Sequence, residues 1–181
     1  MHIAEVQRVV IYVVPDSVLQ RAPPLPLGKG LEATQDHLHL AHDHVKKEAP
    51  DLVKDVKAII VIGDKAATFL NGILVRHETA VREAAIRVYT ESDVIEWVCD
   101  QAFSIVSTEK SHNPIWREPT APDNPFYTGP PYDAGCGADT RYRAQSTKTR
   151  KEANGQQYKV SIRIGTRLID PDYVCGSPPP L

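Results

Sequence analysis

The sequence predicts an α+β fold: a small mixed or antiparallel sheet with two helices, a C-terminal β-hairpin lobe and proline-rich extended arms. Three observations lead to this prediction. Short runs rich in β-branched residues stop at proline or glycine, as strands do. Two longer segments repeat apolar residues at the spacing of one helix face. The 15 prolines among the 181 residues are largely clustered in three segments, and proline favours extended chain over helices and central strands.

Besides a short hairpin, the first half of the chain contains three predicted strands and one predicted helix. The run 9–14 is apolar throughout and ends at Pro15, which is typical of a strand buried on both faces. An apolar stripe from Leu31 to Val45 has helical spacing, and Pro50 should end this helix because the residue before proline avoids the α region. The runs 57–62 and 85–90 predict two further strands.

Turn and capping patterns complete the prediction. An Asn-Gly pair at 71–72 separates two short apolar runs, and this pair favours the backbone conformations of a tight hairpin turn. Asp93 followed by Glu96 is typical of a helix N-terminus, and the apolar residues up to Ile105 have helical spacing, so a second helix is expected over 93–105. A second Asn-Gly pair, at 154–155, predicts a C-terminal hairpin between 142–149 and 157–164.

These elements divide the chain into three parts. We expect an α+β core over residues 1–110, interrupted by a proline-rich linker at 15–30. A proline-rich arm should follow at 111–140, because so long an irregular stretch is uncommon inside a compact domain without a functional reason. Residues 141–181 should then form the β-hairpin lobe and a proline-rich tail.

Charge and hydropathy exclude several classes of function. The formal net charge is only −2, which gives no overall field to attract nucleic acid or an anionic membrane. The longest strongly apolar run, 9–14, is far too short to cross a bilayer. No N-terminal stretch has the pattern of a classical signal peptide. We therefore expect a protein that is neither membrane-spanning nor secreted by that route.

Three cysteines, at positions 99, 136 and 175, are too few and too widely spaced for a disulfide framework or a zinc knuckle. Free thiols are the simplest interpretation. The alternative is a disulfide bond to a neighbouring subunit. Cys136, which is flanked by glycines, and Cys175, which lies near the end of the chain, are the two candidates for it.

Four histidines between residues 37 and 44 form the densest group of metal-ligating side chains. On a helix, His37 and His44 would lie about 10 Å apart, too far for one ion to bridge. The better chelating set is His39, His42 and Asp43, whose spacings of three and four residues place them close together. Spacing alone is weak support for a metal, and we expect solvent-facing or partly buried imidazoles with no cofactor.

The His42-Asp43 doublet resembles that of HD-domain phosphohydrolases, in which adjacent His and Asp side chains ligate a divalent metal that activates water. The resemblance implies a metal-dependent phosphohydrolase as the alternative function. That family also uses an earlier helical His and a distant Asp. Here the upstream His2 lies in a predicted strand, and Asp93 or Asp100 are the candidates for the last ligand. No phosphate-binding loop or nucleophile elbow accompanies the doublet.

Basic residues cluster in the last third of the chain. In the run 157–164 they alternate with apolar residues, so the period of a strand places them on one face. The candidate partner-binding residues are Arg141, Arg143, Lys159 and Arg163. A solvated face explains this pattern, and contact with phosphates or with an acidic protein is the sharper alternative. Aromatic residues are too sparse for base stacking, so we expect no sequence-specific binding of nucleic acid.

A predicted helix ends in Lys-Lys-Glu-Ala-Pro at 46–50, short strands follow, and Ile-Arg-Val-Tyr stands at 86–89. This arrangement, over roughly residues 31–98, resembles the minor virion proteins of tailed bacteriophages that complete the neck or tail. The resemblance implies arms and hairpins that interlock neighbouring subunits, with 15–30, 111–131 and the last residues as the candidate arms.

The sequence as a whole therefore favours a non-enzymatic structural or interaction component of a larger assembly. The expected partners are copies of the chain itself and other assembly proteins, with no membrane. The resemblance implies a virion neck or tail protein, found in the virion or in the cytoplasm of the host cell.

Overall fold

The computed structural model describes residues 7–14, 43–51, 56–61, 65–70, 73–77, 86–88, 93–112, 114, 116–137 and 140–176. Within them lie a helical segment at 43–48, a 3₁₀ helix at Lys151–Ala153 and thirteen strands. In chain order the strands are β1 (Gln7–Val13), β2 (Val56–Val61), β3 (Lys65–Leu70), β4 (Ile73–His77), β5 (Ile86–Val88), β6 (Asp93–Cys99), β7 (Phe103–Lys110), β8 (Tyr132–Asp133), β9 (Gly135–Cys136), β10 (Tyr142–Gln145), β11 (Gln157–Ile164), β12 (Arg167–Ile169) and β13 (Asp172–Cys175). No helix in these residues is long and apolar enough to cross a bilayer.

The described strands form two sheets. Sheet A has seven strands in the order β4-β3-β2-β1-β6-β10-β9. Sheet B has the order β5-β13-β11-β7-β8, and β12 also pairs with β11. In sheet A, β1 runs parallel to β2 and β6, and in sheet B, β13 runs parallel to β5, whereas the other pairs are antiparallel. The predicted mixed sheet is confirmed, but it is one of two sheets.

The two sheets share one apolar core. Alternate residues of β1 and β6 point into it from sheet A, and alternate residues of β7 and β11 point into it from sheet B, as the period of a strand requires. Aromatic side chains fill much of the space. Tyr158 and Tyr173 stack with ring centroids 5.8 Å apart, and Trp97 stacks on Tyr132 at 6.2 Å. Because the core draws on residues from Val9 to Cys175, it joins chain segments on both sides of the proline-rich stretch.

In sheet A, β1 and β6 are also buried on the face that points away from sheet B. Val10, Tyr12 and Val98 on this outer face are inaccessible to solvent or nearly so. The helical segment 43–48 is tied to this face by the polar contacts described below, and its Val45 is fully buried. The Ala49 N–H donates to the Val45 carbonyl at 2.8 Å, and the helix ends before Pro50, as predicted. The rest of the predicted helix, 31–42, lies outside the described residues.

The prediction of a second helix over 93–105 is wrong. These residues form β6 and the start of β7, with a bend between them. Every residue of β6 is buried: the strand is central in sheet A, one of its faces contributes to the core shared with sheet B, and its other face is buried as well. A strand of this kind needs apolar residues on both faces. Such a run contains residues at helical spacing as well, so the apolar stripe from Val94 to Ile105 could not distinguish the two structures.

One predicted hairpin is confirmed and the other is wrong. β3 and β4 pair antiparallel on either side of the Asn-Gly pair at 71–72, as expected. Residues 142–149 and 157–164, however, do not pair with each other: β10 adds to β6 in sheet A, and β11 adds to β7 in sheet B. The Asn-Gly pair between them belongs to a crossing from one sheet to the other, with Gly155 at a φ of 87°. The C-terminal hairpin consists instead of β11 and β12.

The proline-rich residues 116–137, which we call the strap, lie along the side of the sandwich. The strap begins on the outer face of sheet B, where Trp116 packs on Val174. Its backbone is fixed there, because the Gln157 N–H donates to the Trp116 carbonyl at 2.9 Å and the Glu118 N–H donates to the Gln156 side chain at 2.8 Å. Farther on, the Tyr158 hydroxyl donates to the Pro122 carbonyl at 2.7 Å.

The second half of the strap enters the core and then joins both sheets. Phe126 is a core residue, and its ring contacts that of Tyr132 edge to face at 5.9 Å. The strap then adds β8 to the edge of sheet B and, two residues later, β9 to the edge of sheet A. The stretch that the sequence suggested as an arm therefore closes one side of the sandwich in this structure.

Candidate functional site

The outer face of sheet A carries a row of charged residues on β1, β6 and β10. Glu96 is its centre, with only 6% of the side chain exposed. Arg8 of β1 approaches one carboxylate oxygen at 3.0 Å, and Arg143 of β10 approaches the other at 3.5 Å. The register of the sheet explains this, because β6 lies between β1 and β10. A carboxylate this deeply buried is tolerated because two guanidinium groups offset its desolvation.

A second cluster lies at the C-terminal end of β6. Asp100 accepts a hydrogen bond from the Tyr12 hydroxyl at 2.5 Å, and its other oxygen lies 2.7 Å from Nε2 of His44. Burial, and then the hydrogen bond to Asp100, raise the pKa of Tyr12 far above its usual value. The phenol is therefore a fixed donor. The cluster links β1, the end of β6 and the helical segment, so its role is structural.

Arg141, a predicted partner-binding residue, completes the attachment of the helical segment. Its Nη2 donates to the Glu48 carbonyl at 2.7 Å, and the same atom lies 3.3 Å from an Asp51 carboxylate oxygen. Glu48 is the last helical residue, so its carbonyl has no partner within the helix, and a cation at a helix C-terminus is favourable. Arg141, directly before β10, and Arg143 of β10 therefore both have partners within the chain.

Lys159 and Arg163, the other two predicted residues, lie on the outer face of sheet B. The predicted alternation is confirmed here, because Tyr158, Val160 and Ile162 are buried between them. Partial burial acts to lower the pKa of Lys159, but the carboxylate of Asp172 and then that of Asp170 outweigh it and raise the pKa. The Lys159 ammonium lies 3.2 Å from Asp172.

Arg163 differs from the other three basic residues because its side chain is exposed. It is opposite Leu168 of β12 in the register, and Leu168 is a large apolar side chain with 56% exposure. On its other side, Arg163 is paired with Ser104 of β7. The four predicted residues are thus divided between two sheets, and Arg163 is the one on an exposed, partly apolar surface.

Of the three candidate metal ligands, only Asp43 lies within the described residues. His39 and His42 lie outside the described residues, and Asp43 is exposed at the start of the helical segment. Among the residues that the structure describes, no group of three or more His, Cys, Asp or Glu side chains could hold a metal ion. Asp100, one of the two candidates for a distant ligand, contacts His44, which is two residues beyond His42.

The three thiols are free in the structure and differ in accessibility. Cys99 and Cys175 are buried in the core, whereas Cys136 on β9 is exposed. Burial raises the pKa of Cys99 to about 11 and also raises that of Cys175. Thiolate is the reactive form of cysteine, so the two core thiols should be inert. Of the two cysteines suggested for a disulfide between subunits, only Cys136 is accessible.

Sequence reasoning missed the acidic centres of both clusters. The sequence pattern predicts Glu96 as part of a helix N-terminus and offers Asp100 only as a candidate metal ligand. The sequence does contain a signal for them: Glu96 lies within a largely apolar run and Asp100 directly follows it. A carboxylate in a buried strand needs cationic or hydrogen-bonding partners. No protein-family model matches the chain, and searches of curated proteins and of solved structures find no match.

Proposed function

We propose that this chain is a non-enzymatic structural component of a larger assembly, and that it contacts its partners through the outer face of sheet B. A virion neck or tail of a tailed bacteriophage is the assembly suggested by the resemblance of residues 31–98. The partners proposed are copies of the chain itself and other assembly proteins.

The observation that carries this proposal is the exposed pair of Arg163 and Leu168. Arginine is enriched in protein interfaces, where it combines apolar contact with hydrogen bonding, and here it stands opposite a large exposed apolar side chain on a strand pair. The basic residues at 141, 143 and 159 have acidic or carbonyl partners within the chain. Substitution of these three residues would therefore also disturb the fold, and Arg163 is the better position at which to test a contact with a partner.

The experiment compares the wild type with an Arg163→Glu, Leu168→Ser double variant by light scattering. We expect the wild type to have a mass above that of one chain, and the variant to shift toward the monomer with an unchanged circular dichroism spectrum. Lys148→Glu, an exposed charge reversal on another part of the surface, is the matched control. A variant that assembles like the wild type would show that this face is not the contact.

Binding of nucleic acid is tested with the same proteins. The proposed contact is with protein, so we expect no preference for one DNA or RNA sequence at physiological salt. Contacts of a few basic side chains with phosphates would be weak and strongly dependent on salt. Tight binding to one sequence that scrambled sequences do not compete would contradict the proposal.

A metal-dependent phosphohydrolase that uses His42 and Asp43 is the alternative. One observation favours it: Asp100, a candidate for the distant ligand of that family, lies 2.7 Å from Nε2 of His44, one residue after Asp43. Elemental analysis of the purified protein decides between the two functions. We expect no stoichiometric zinc, iron or manganese. A bound metal that is lost in His42→Ala, together with hydrolysis of a phosphomonoester, would establish the enzyme.

A further inference from the structure

The Asn-Gly pair at 154–155 lies in the crossing from β10 to β11, and it carries a chemistry of its own. Asparagine is one of the thermolabile residues of proteins. The backbone nitrogen of the next residue can attack Cγ of the asparagine side chain, and glycine leaves this attack unobstructed because it has no Cβ. Asn154 is exposed, so water reaches its side chain. The pair is therefore a candidate site of covalent modification by deamidation.

The reaction passes through a cyclic imide. The Gly155 nitrogen forms a bond to Cγ of Asn154, and the bond from Cγ to the side-chain amide nitrogen breaks. Ammonia leaves and takes up the proton of the Gly155 amide. Water then opens the imide at either carbonyl, which leaves an aspartate or an isoaspartate. The chain gains water and loses ammonia, and nothing is oxidised or reduced.

A hydrogen bond holds the attacking nitrogen away from this reaction. The Gly155 N–H donates to the Cys175 carbonyl at 2.8 Å, and the Cys175 N–H donates to the Gln156 carbonyl at 3.0 Å. These two bonds join the crossing to the end of β13. The Gly155 nitrogen must release its proton in order to react, and that proton is committed to Cys175. The Gly155 amide must therefore leave Cys175 before deamidation can begin.

The backbone conformation of Asn154 is a second restraint. Its φ of −57° and ψ of 130° are close to those of extended polyproline II backbone. In this conformation the Asn154 Cβ and the Gly155 nitrogen point to different sides, whereas closure of the imide ring needs them on the same side. Rotation about ψ of Asn154 would bring them together and would also turn the Gly155 N–H away from Cys175. The same movement therefore removes both restraints.

Contacts on both sides of the pair keep the crossing closed. The Asn154 N–H donates to the Lys151 carbonyl at 3.1 Å, at the end of the 3₁₀ helix. Gln156 is 1% exposed, and its side chain accepts the Glu118 N–H of the strap at 2.8 Å. Opening of the crossing therefore disturbs contacts with the strap as well as with β13. Such a local opening costs free energy, so only a minor fraction of the folded molecules is open at any time.

We propose that Asn154 is a deamidation site that the closed crossing keeps unreactive, so that the modification occurs through the open form. Both products weaken the closed form. An isoaspartate adds a methylene group to the backbone and displaces Gly155 from Cys175. An aspartate places a second negative charge two residues from the exposed Glu152. Each opening that leads to reaction therefore leaves a chain whose two sheets are joined less firmly.

The first test compares deamidation with hydrogen exchange in the wild type. Peptide mass spectrometry measures the rate at Asn154 at mildly alkaline pH, in buffer and in urea. We expect the rate in buffer to be at least about tenfold lower, by a factor similar to the protection of the Gly155 amide from hydrogen exchange. Asn71, which lies outside the described residues, is the reference in urea, where both Asn-Gly pairs should react at similar rates. Equal rates at Asn154 in buffer and urea would overturn the proposal, as would an Asn154 that fails to react in urea.

Three variants separate the chemistry from its control. In urea, Gly155→Ala should slow deamidation several-fold because a Cβ obstructs the attack, and an unchanged rate would exclude the cyclic imide. In buffer, Gln156→Ala should raise the rate at Asn154 several-fold and leave the rate in urea unchanged, because it removes the contact with Glu118 and keeps the reacting pair. Gln145→Ala, at an exposed glutamine of β10, is the matched control and should change neither rate. A folded Gln156→Ala that reacts like the wild type in buffer would show that the crossing does not control the site. If Gln156→Ala does not fold, the comparison of deamidation with Gly155 exchange in the wild type decides.

Discussion

If Trp116 holds the start of the strap on sheet B, Trp116→Ala should cause a large loss of stability. Trp116 is 8% exposed and packs on Val174 in a small cluster apart from the main core. Truncation of a buried aromatic side chain to alanine costs 3–5 kcal/mol, and a two-residue cluster at the edge of the fold belongs at the lower end, at about 3 kcal/mol. For a chain of this size, that loss lowers the melting temperature by roughly 6–12 °C.

The assay is urea denaturation followed by far-UV circular dichroism, because the variant removes one of the only two tryptophans and so alters the fluorescence signal. Tyr127→Ala is the control within the same strap, since Tyr127 is 60% exposed and its loss should change the free energy of unfolding by less than about 0.5 kcal/mol. If Trp116→Ala were as stable as this control, the contact of Trp116 with Val174 would not hold the start of the strap on sheet B, and the reasoning would be refuted.

Three further predictions concern backbone, thiols and pH. Gly176→Ala and Gly165→Ala should each cost about 1 kcal/mol, because both residues have a positive φ that disfavours a Cβ, and the Asn154 side chain next to Gly176 is exposed and can turn aside; wild-type stability of both variants in urea denaturation would contradict this. A thiol reagent should modify one cysteine, Cys136, in the native protein and all three in denaturant, and rapid modification of more than one native thiol would be incompatible with the core described here. Burial raises the pKa of Tyr158, so its neutral form contributes stability fully below about pH 10 that is lost as the pH rises toward the raised value. Denaturation at increasing alkaline pH, with phenolate absorbance recorded in parallel, should show this loss, and constant stability up to about pH 12 would exclude it.

Local signals in the sequence predicted the parts of the fold that depend on neighbouring residues. The buried strand at 9–14, the helix that stops before Pro50 and the pairing around 71–72 all follow from local periodicity and turn chemistry, and the structure has them. The prediction of a helix at 93–105 was wrong because burial on both faces makes this strand apolar throughout, and such burial depends on distant parts of the chain. Val98 is buried on the face of sheet A that points away from sheet B, and no local pattern in the sequence reveals that this face is covered.

The candidate site was predicted less well, and for a related reason. Residue type and spacing correctly placed Lys159 and Arg163 on one strand face. They could not reveal that Arg141 and Arg143 lie on the other sheet, because the Asn-Gly pair at 154–155 indicated a turn without specifying which strands it joins. The acidic partners of these arginines lie 40 or more residues away in the chain, as for Glu96, which is 47 residues from Arg143. Contacts over such separations are set by sheet topology.

The most direct test of the account is the mass of the native particle. One chain has a mass of 20.1 kDa. Sedimentation velocity of the purified wild type over a wide concentration range should show particles of two or more chains, whose share rises with concentration. A single species of 20.1 kDa at every concentration, in the presence and absence of crowding agents, would contradict the proposal that this chain is built to assemble.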